Sequence, residues 1–219
     1  MTSQNTKSVA EYHRPVQPEL LRLVPVSARR VLELGGDEAF ASALKERTGG
    51  EVWGIVSHRA SDRDATAHLD RVLVGRVDDL IDDLPDAHFD VIVCHDTLER
   101  LIDPLATLTR LGTKVSPDGV LIAAVPNFRF LPALGQVVFR KDFPQEEVGT
   151  FDRTHLRFFT RRSIKRLLKK AGFKVRRVQG LNPWRTTVGV LVAAGSLGYF
   201  ADGLYLQYAC VATPTAAQR

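Results

Sequence analysis

The sequence predicts an α/β chain built on a doubly wound, mostly parallel sheet. Three observations lead there. Residues 30–34, Arg-Val-Leu-Glu-Leu, form a short apolar run that ends at Gly35-Gly36. A buried strand that turns sharply into a helix has this pattern. Runs of strand length then alternate with helix-length stretches along most of the chain. Finally, 219 residues with 44% hydrophobic content, no internal repeat and no low-complexity linker read as one domain over 1–219, large enough to bury its own core.

The elements follow in order. The first strand takes 31–34 and the helix behind it 40–47, stopped by Gly49-Gly50. The second strand covers 51–56 and the third 72–74. The turn Leu84-Pro85-Asp86 introduces the fourth strand, 89–95. Pro104 suits the first turn of a helix over 104–114. Ser116-Pro117-Asp118-Gly119 reads as a turn, and the fifth strand follows at 120–125, ending at Pro126-Asn127. Residues 128–160 break the alternation. They are aromatic-rich and irregular, and are expected as a cap inserted over the carboxyl edge of the sheet. A basic helix over 163–171, with Ile164, Leu167 and Leu168 on one face, stops at Gly172. The sixth strand takes 173–179, and a long connection leads to a last strand near 205–212. Such a connection can return the chain antiparallel. The expected sheet therefore has seven strands, six parallel and the last antiparallel.

Composition narrows the partners. The net charge of +5 is moderate, and the basic residues gather between Arg157 and Arg177. They read as a solvated helix face or as an attraction for an anionic partner. Without interleaved exposed aromatics or an RNA-binding signature, no nucleic-acid partner is expected. Cys94 and Cys210 lie in apolar runs with neither metal-ligand spacing nor a partner pattern. They read as buried free thiols of a reducing, cytoplasmic compartment, and no metal site is expected. Residues 1–15 are polar and lack a secretion signal. The longest apolar stretch, 188–200, is short and broken by three glycines, so no transmembrane segment is expected. It reads as an interfacial or partner-facing helix, a candidate surface for a homodimer.

The run VLELGGDEA resembles the first motif of class I S-adenosylmethionine-dependent methyltransferases, usually an acid followed by Gly-x-Gly-x-Gly. LPDAHFDVIVCHDTLERLIDP is similar to that family's fourth-strand region, and LGTKVSPDGVLIAAVPN to its following helix, turn and fifth strand. DRTHLRFFTRRSIKRLLKKAGFKV is the most specific match. It resembles a bacterial subgroup of small methyltransferases often linked to sugar or polysaccharide modification; quinone O-methyltransferases carry a similar Thr-His. The resemblance spans roughly residues 28–180. It implies a Rossmann-like, seven-stranded sheet of class I methyltransferase type, S-adenosylmethionine as cofactor, and a small-molecule substrate in a biosynthetic pathway.

The resemblance also implies which positions meet the cofactor. Glu33, Gly35 and Gly36 shape the pocket floor, while Asp37 and Ala39 stand where more glycine is usual. Val56 stands where an acid usually accepts both ribose hydroxyls. Arg76 follows Gly75 where an acid often bonds the adenine amino group, with Asp78 or Asp79 as the candidate replacement. Arg100 takes the place of the usual His after Leu98-Glu99. Each hydrogen bond lost to a buried ligand costs about 1–3 kcal/mol, so two such losses weaken binding about a hundredfold or more.

Three readings follow: a working methyltransferase with a divergent cofactor pocket; a repurposed pseudo-methyltransferase that binds another ligand or partner; and a nicotinamide-dinucleotide enzyme. The last is poor, because residues 35–40 do not make Gly-x-Gly-x-x-Gly. In the second, Arg76 and the Ser57-His58-Arg59 run hold a phosphate or carboxylate. For catalysis His155 is the first candidate base, flanked by Asp152 and Thr154, with a structural cap as its alternative role. His95 and Asp96 close the fourth strand, where open α/β sheets place their ligands. Asn127, at the end of the fifth strand, touches substrate or forms a turn. A guanidinium at Arg76 is expected to pair with a nearby aspartate and, if that pair is buried, to fill the adenine space with protein.

Overall fold

The computed structural model describes residues 17–35, 38–56, 68–147, 149–184 and 186–216. Gly36, Asp37 and the Ser57-His58-Arg59 run lie outside the described residues.

Seven strands build the sheet: β1 (Arg30–Leu34), β2 (Glu51–Val56), β3 (Arg71–Val74), β4 (Phe89–His95), β5 (Val115–Pro126), β6 (Phe173–Pro183) and β7 (Tyr205–Pro214). Their order across the sheet is β3-β2-β1-β4-β5-β7-β6. β3, β2, β1, β4 and β5 pair parallel. β7 pairs antiparallel with β5 on one side and β6 on the other, so β6 runs with the first five. This is the predicted sheet.

Seven α-helices accompany it among the described residues: α1 (Pro18–Leu21), α2 (Glu38–Thr48), α3 (Val77–Leu80), α4 (Pro104–Lys114), α5 (Leu131–Phe139), α6 (Arg161–Lys170) and α7 (Thr187–Gly195). The period-2 alternation of β1 assigns its side chains to two layers. Leu32 and Leu34 join a core with Ile92, Leu108, Leu111, Ile164 and Leu168, under α4 and α6. Val31 joins Leu20, Phe40, Leu44, Val91 and Val93, under α1 and α2. Helices on both faces explain why the central strands read as unbroken apolar runs.

Helix starts follow local chemistry. Asp103 accepts from the amides of Leu105 and Ala106, each at 3.0 Å, and Pro104 fills the first position of α4 as predicted. Thr160 and Ser163 form a reciprocal capping box, so α6 starts two residues before the predicted 163. Two strands outrun their predicted bounds by more than two residues. The stretch read as a turn at 116–119 continues as strand because Val115 already pairs with Phe89, across a register shift. β6 extends to Pro183 because Tyr205, at the start of β7, pairs with it.

The excursion at 128–160 leaves and rejoins the end of β5. Asn127 bridges to Phe159, and the Phe128 amide donates to the Phe159 carbonyl at 2.8 Å. It carries α5 and forms a small core in which Phe130, Ala133 and Phe151 pack with Leu206 of β7. Asn127, fully buried, donates from its side chain to the carbonyls of Asp202 and Tyr205, both at 2.9 Å. Its Oδ1 accepts from the Arg129 amide at 3.1 Å. Of its two predicted roles, the turn is the one these bonds serve.

Candidate functional site at the carboxyl edge

The carboxyl ends of β1 and β4 meet closely. Gly35 has φ +154°, and a Cβ there would stand 2.5 Å from the His95 carbonyl oxygen and 2.9 Å from Glu33 Oε1. Only glycine tolerates both constraints. The Thr97 hydroxyl lies between the carbonyls of Leu34 and His95, 2.9 Å from the latter, and clamps the two strand ends together. Glu33 is fully buried on β1.

His95 is also buried, its ring tilted against Phe40 at 5.0 Å between centroids. Its Nε2 has no hydrogen-bond partner among the described residues; Asp96 Oδ2 stands 3.6 Å away. Asp96 takes a left-handed backbone, φ +47°, which turns the chain sharply at the strand end. Its Oδ1 accepts from Gln207 Nε2 at 3.0 Å, which ties β4 to β7 across β5.

The structure therefore brings Glu33, Gly35, His95 and Asp96 together. Leu34 pairs with Ile55, so Val56 lies at the same strand edge as Gly35, and the Gly75 amide donates to the Val56 carbonyl at 2.9 Å. Val56 is 1% exposed at the end of β2 and offers an apolar side chain. Arg76 pairs with Asp78 at 3.7 Å and Asp79 at 3.9 Å, but its side chain is 62% exposed. The expected aspartate pairing is present, whereas the buried pair that would fill the adenine space with protein is not. Asp78 is turned to α4: it accepts from the Thr107 hydroxyl, and its carbonyl accepts from Arg110 Nη1 at 2.8 Å.

A second group lies where the excursion docks on the β4 edge. The Glu99 carbonyl accepts from the amides of both Leu156 and Arg157, at 2.7 and 2.9 Å. This places the His155 side chain against Glu99 Oε1 at 3.8 Å and Asp152 Oδ2 at 3.9 Å, and all three side chains are buried. Burial, then the neighbouring Asp96 charge, raises the Glu99 carboxyl well above the usual range. Burial also lowers His155, against the pull of Asp152. For Asp152 burial acts upward, but hydrogen bonds from the Thr154 hydroxyl and amide, each at 2.7 Å, outweigh it with help from His155 and Arg100. Asp152 is held as a carboxylate, with Arg100 Nη2 at 3.4 Å. The sequence identified His155 and Asp152 and missed Glu99 as their partner. The acid was in view next to Leu98, but no local pattern announces that a segment 56 residues later closes over it.

Cys94 and Cys210 are buried free thiols, Cys210 pushed up to about 12 by burial and Cys94 raised further. Among the described residues, no cluster of His, Cys, Asp and Glu is grouped to hold a metal ion. No described helix is long and apolar enough to cross a membrane.

Known proteins supply the remaining comparison. A family profile described as a methyltransferase domain matches residues 9–178. The fold is shared with solved structures. A SAM-dependent methyltransferase from Archaeoglobus fulgidus is 19% identical with TM-score 0.64, over 90% of this chain and 91% of that one. A Thermotoga maritima protein described as a SAM-dependent methyltransferase, possible histamine N-methyltransferase, is 18% identical with TM-score 0.63, over 97% and 96%. An S-adenosylmethionine-dependent methyltransferase from Mesorhizobium loti is 16% identical with TM-score 0.62, over 89% and 95%. No curated protein matches the chain.

Proposed function

This chain belongs to the methyltransferase domain family, and from that premise we propose that it transfers a methyl group from S-adenosylmethionine to a hydroxyl of a small molecule or sugar in a biosynthetic pathway. One observation carries the reading. At the carboxyl ends of β1 and β4 the glycine-only approach of Gly35 to His95 coincides with a buried His95 Nε2 that has no hydrogen-bond partner among the described residues. An orphaned buried donor or acceptor costs about 1–3 kcal/mol unless a ligand completes it. Glu33, Gly35, His95 and Asp96 fit the cofactor at this end; Val56 leaves its ribose hydroxyls without the usual acceptor. Bound there, S-adenosylmethionine supplies an electrophilic methyl group.

The chain's own part is positioning and proton transfer. His155, kept neutral by burial, is the candidate base for the acceptor hydroxyl. Asp152, a carboxylate, favours the imidazolium that results, and Glu99 Oε1 stands 3.8 Å from the same nitrogen, Nε2, without a hydrogen bond to it. His155 is buried where the excursion docks on the Glu99 carbonyl.

The test is calorimetric titration with S-adenosylmethionine and S-adenosylhomocysteine. Binding at micromolar or weaker affinity is expected. The buried Val56 favours a second reading, a pseudo-methyltransferase that keeps the fold and has lost the cofactor, and undetectable binding of both compounds would establish it. For assembly, we propose a homodimer across α7, whose Val188, Val190 and Leu191 are all exposed. Analytical ultracentrifugation of wild type and Leu191→Glu decides it, a monomeric wild type ending that part of the proposal.

A further inference from the structure

The opposite end of the same carboxyl edge holds a cavity of about 550 Å³. Its walls come from β6, β7, the start of α6 and the segment before β7, and include Arg129, Arg161, Arg162, Tyr199, Tyr205 and Tyr208. The size is that of a small-molecule site. Two features make it a built concavity. The Tyr205 ring lies flat on Gly180, where a Cβ would come within 2.3 Å of it. The Tyr208 hydroxyl donates to the Asp202 carbonyl at 2.8 Å, which fixes the segment between α7 and β7.

The charges are unequal. The cavity's one carboxylate, Asp202, is neutralised by a two-pronged pair with Arg129, Nε to Oδ2 at 2.9 Å and Nη2 to Oδ1 at 3.1 Å. Arg161 and Arg162, both exposed at the start of α6, line the cavity and make no ion pair among the described residues. Two unmatched guanidiniums on one wall call for an anion of about two charges with several acceptor oxygens, and planar Arg forks suit the oxygens of a phosphate. The aromatic walls and the spare volume suit a ring or chain attached to it.

We propose that this cavity is a binding site for a phosphate monoester, anchored by Arg161 and Arg162, with its organic part against Tyr199 and Tyr205. The site stands apart from the β1–β4 end and does not rest on the methyl-transfer reading. A soluble phosphate ester and a lipid phosphate headgroup share this chemistry.

The experiment is calorimetric titration of the full chain with inorganic phosphate and phenyl phosphate, and co-sedimentation with phosphatidylcholine vesicles with and without phosphatidic acid. Two variants accompany it: R161E/R162E, and K169E/K170E with the same charge change at the far end of α6. Glutamates in the first turn suit the helix dipole, so R161E/R162E is expected to keep the wild-type Tm. Expected is binding of phenyl phosphate or phosphatidic acid vesicles that weakens as salt rises, falls at least tenfold in R161E/R162E and holds in K169E/K170E. Binding of phenyl phosphate identifies a soluble ester; binding of the vesicles alone identifies a lipid headgroup. The proposal is overturned by failure of every phosphate probe to bind, by undiminished binding in R161E/R162E, or by equal loss in both variants.

Discussion

The two ends of the carboxyl edge differ in kind. At the β1–β4 end the backbone is drawn tight: Gly35 excludes any side chain, Thr97 clamps two carbonyls, and the polar groups are few and buried. At the β7–β6 end the same edge opens into a roomy, cationic, aromatic cavity. The first is built from backbone and depends on the sheet; the second is built from long side chains and depends on this particular sequence. A shared fold thus constrains one end of its edge far more than the other, and individuality collects where side chains make the walls.

If the ends are independent, breaking one should spare the other. Asn127→Ala should have the largest effect. It removes two hydrogen bonds to half-buried carbonyls and one from the Arg129 amide, the Asp202 carbonyl keeping its bond from the Tyr208 hydroxyl, a loss of about 2–4 kcal/mol. Thermal denaturation should show it, and phenyl phosphate binding should weaken while S-adenosylhomocysteine binding persists. Gly35→Ala should cost about 1–3 kcal/mol, since its Cβ must push the His95 carbonyl away. Titration should show loss of S-adenosylhomocysteine binding with phosphate binding intact. Loss of both ligands in either variant would mean that the two ends act as one.

Between these ends the buried acid is legible through pH. Glu99 titrates higher folded than unfolded, so the native state holds the extra proton and stability falls as pH rises from the ordinary carboxylate range toward the raised value. Glu99→Gln should flatten that part of the stability profile, measured by urea denaturation across pH. His155 acts oppositely: its folded pKa is lowered from 6.5, so its contribution diminishes as pH falls below about 6.5. His155→Gln should therefore lessen the loss of stability in that window.

Smaller still, Val56→Glu should tighten S-adenosylhomocysteine binding about tenfold, or about 1.4 kcal/mol, if β2 supplies the missing ribose acceptor. An unchanged titration would separate Val56 from the cofactor. Smallest is an expected non-event: both thiols are buried and raised, so a thiol reagent should label the native protein negligibly and the urea-unfolded chain at two sites.

What the sequence made legible follows the same division. Buried parallel strands announce themselves by local runs, so β2, β4 and α4 match their predicted bounds. Pro104 announced its helix by local chemistry, whereas the Asp103 cap went unread. The turn read at 116–119 failed because pairing with β4 overrode the propensity of Pro117 and Gly119. Around the site, Gly35 and His95 were visible because motif and strand end mark them. The Glu99–His155 contact and the cavity were not, because they join residues far apart in sequence. Arg129, Arg161 and Tyr205 carry no shared local signal. Arg76 shows the limit of a residue's identity: the charge was legible, whereas its exposure was decided by the backbone around α3.

The position of β7 between β5 and β6 has a consequence for synthesis. Chain order makes β6 before β7, yet in the sheet β6 hydrogen-bonds only to β7. On the ribosome β6 must therefore wait without a partner while the 31 residues after Pro183, through Pro214, emerge, a delay on the order of seconds at about 5–20 residues per second. The five-stranded part of the sheet can close first. The arginine-lined cavity is then the last part of the molecule to come into existence, and a chain stalled or released between β5 and β7 lacks it while retaining the β1–β4 end.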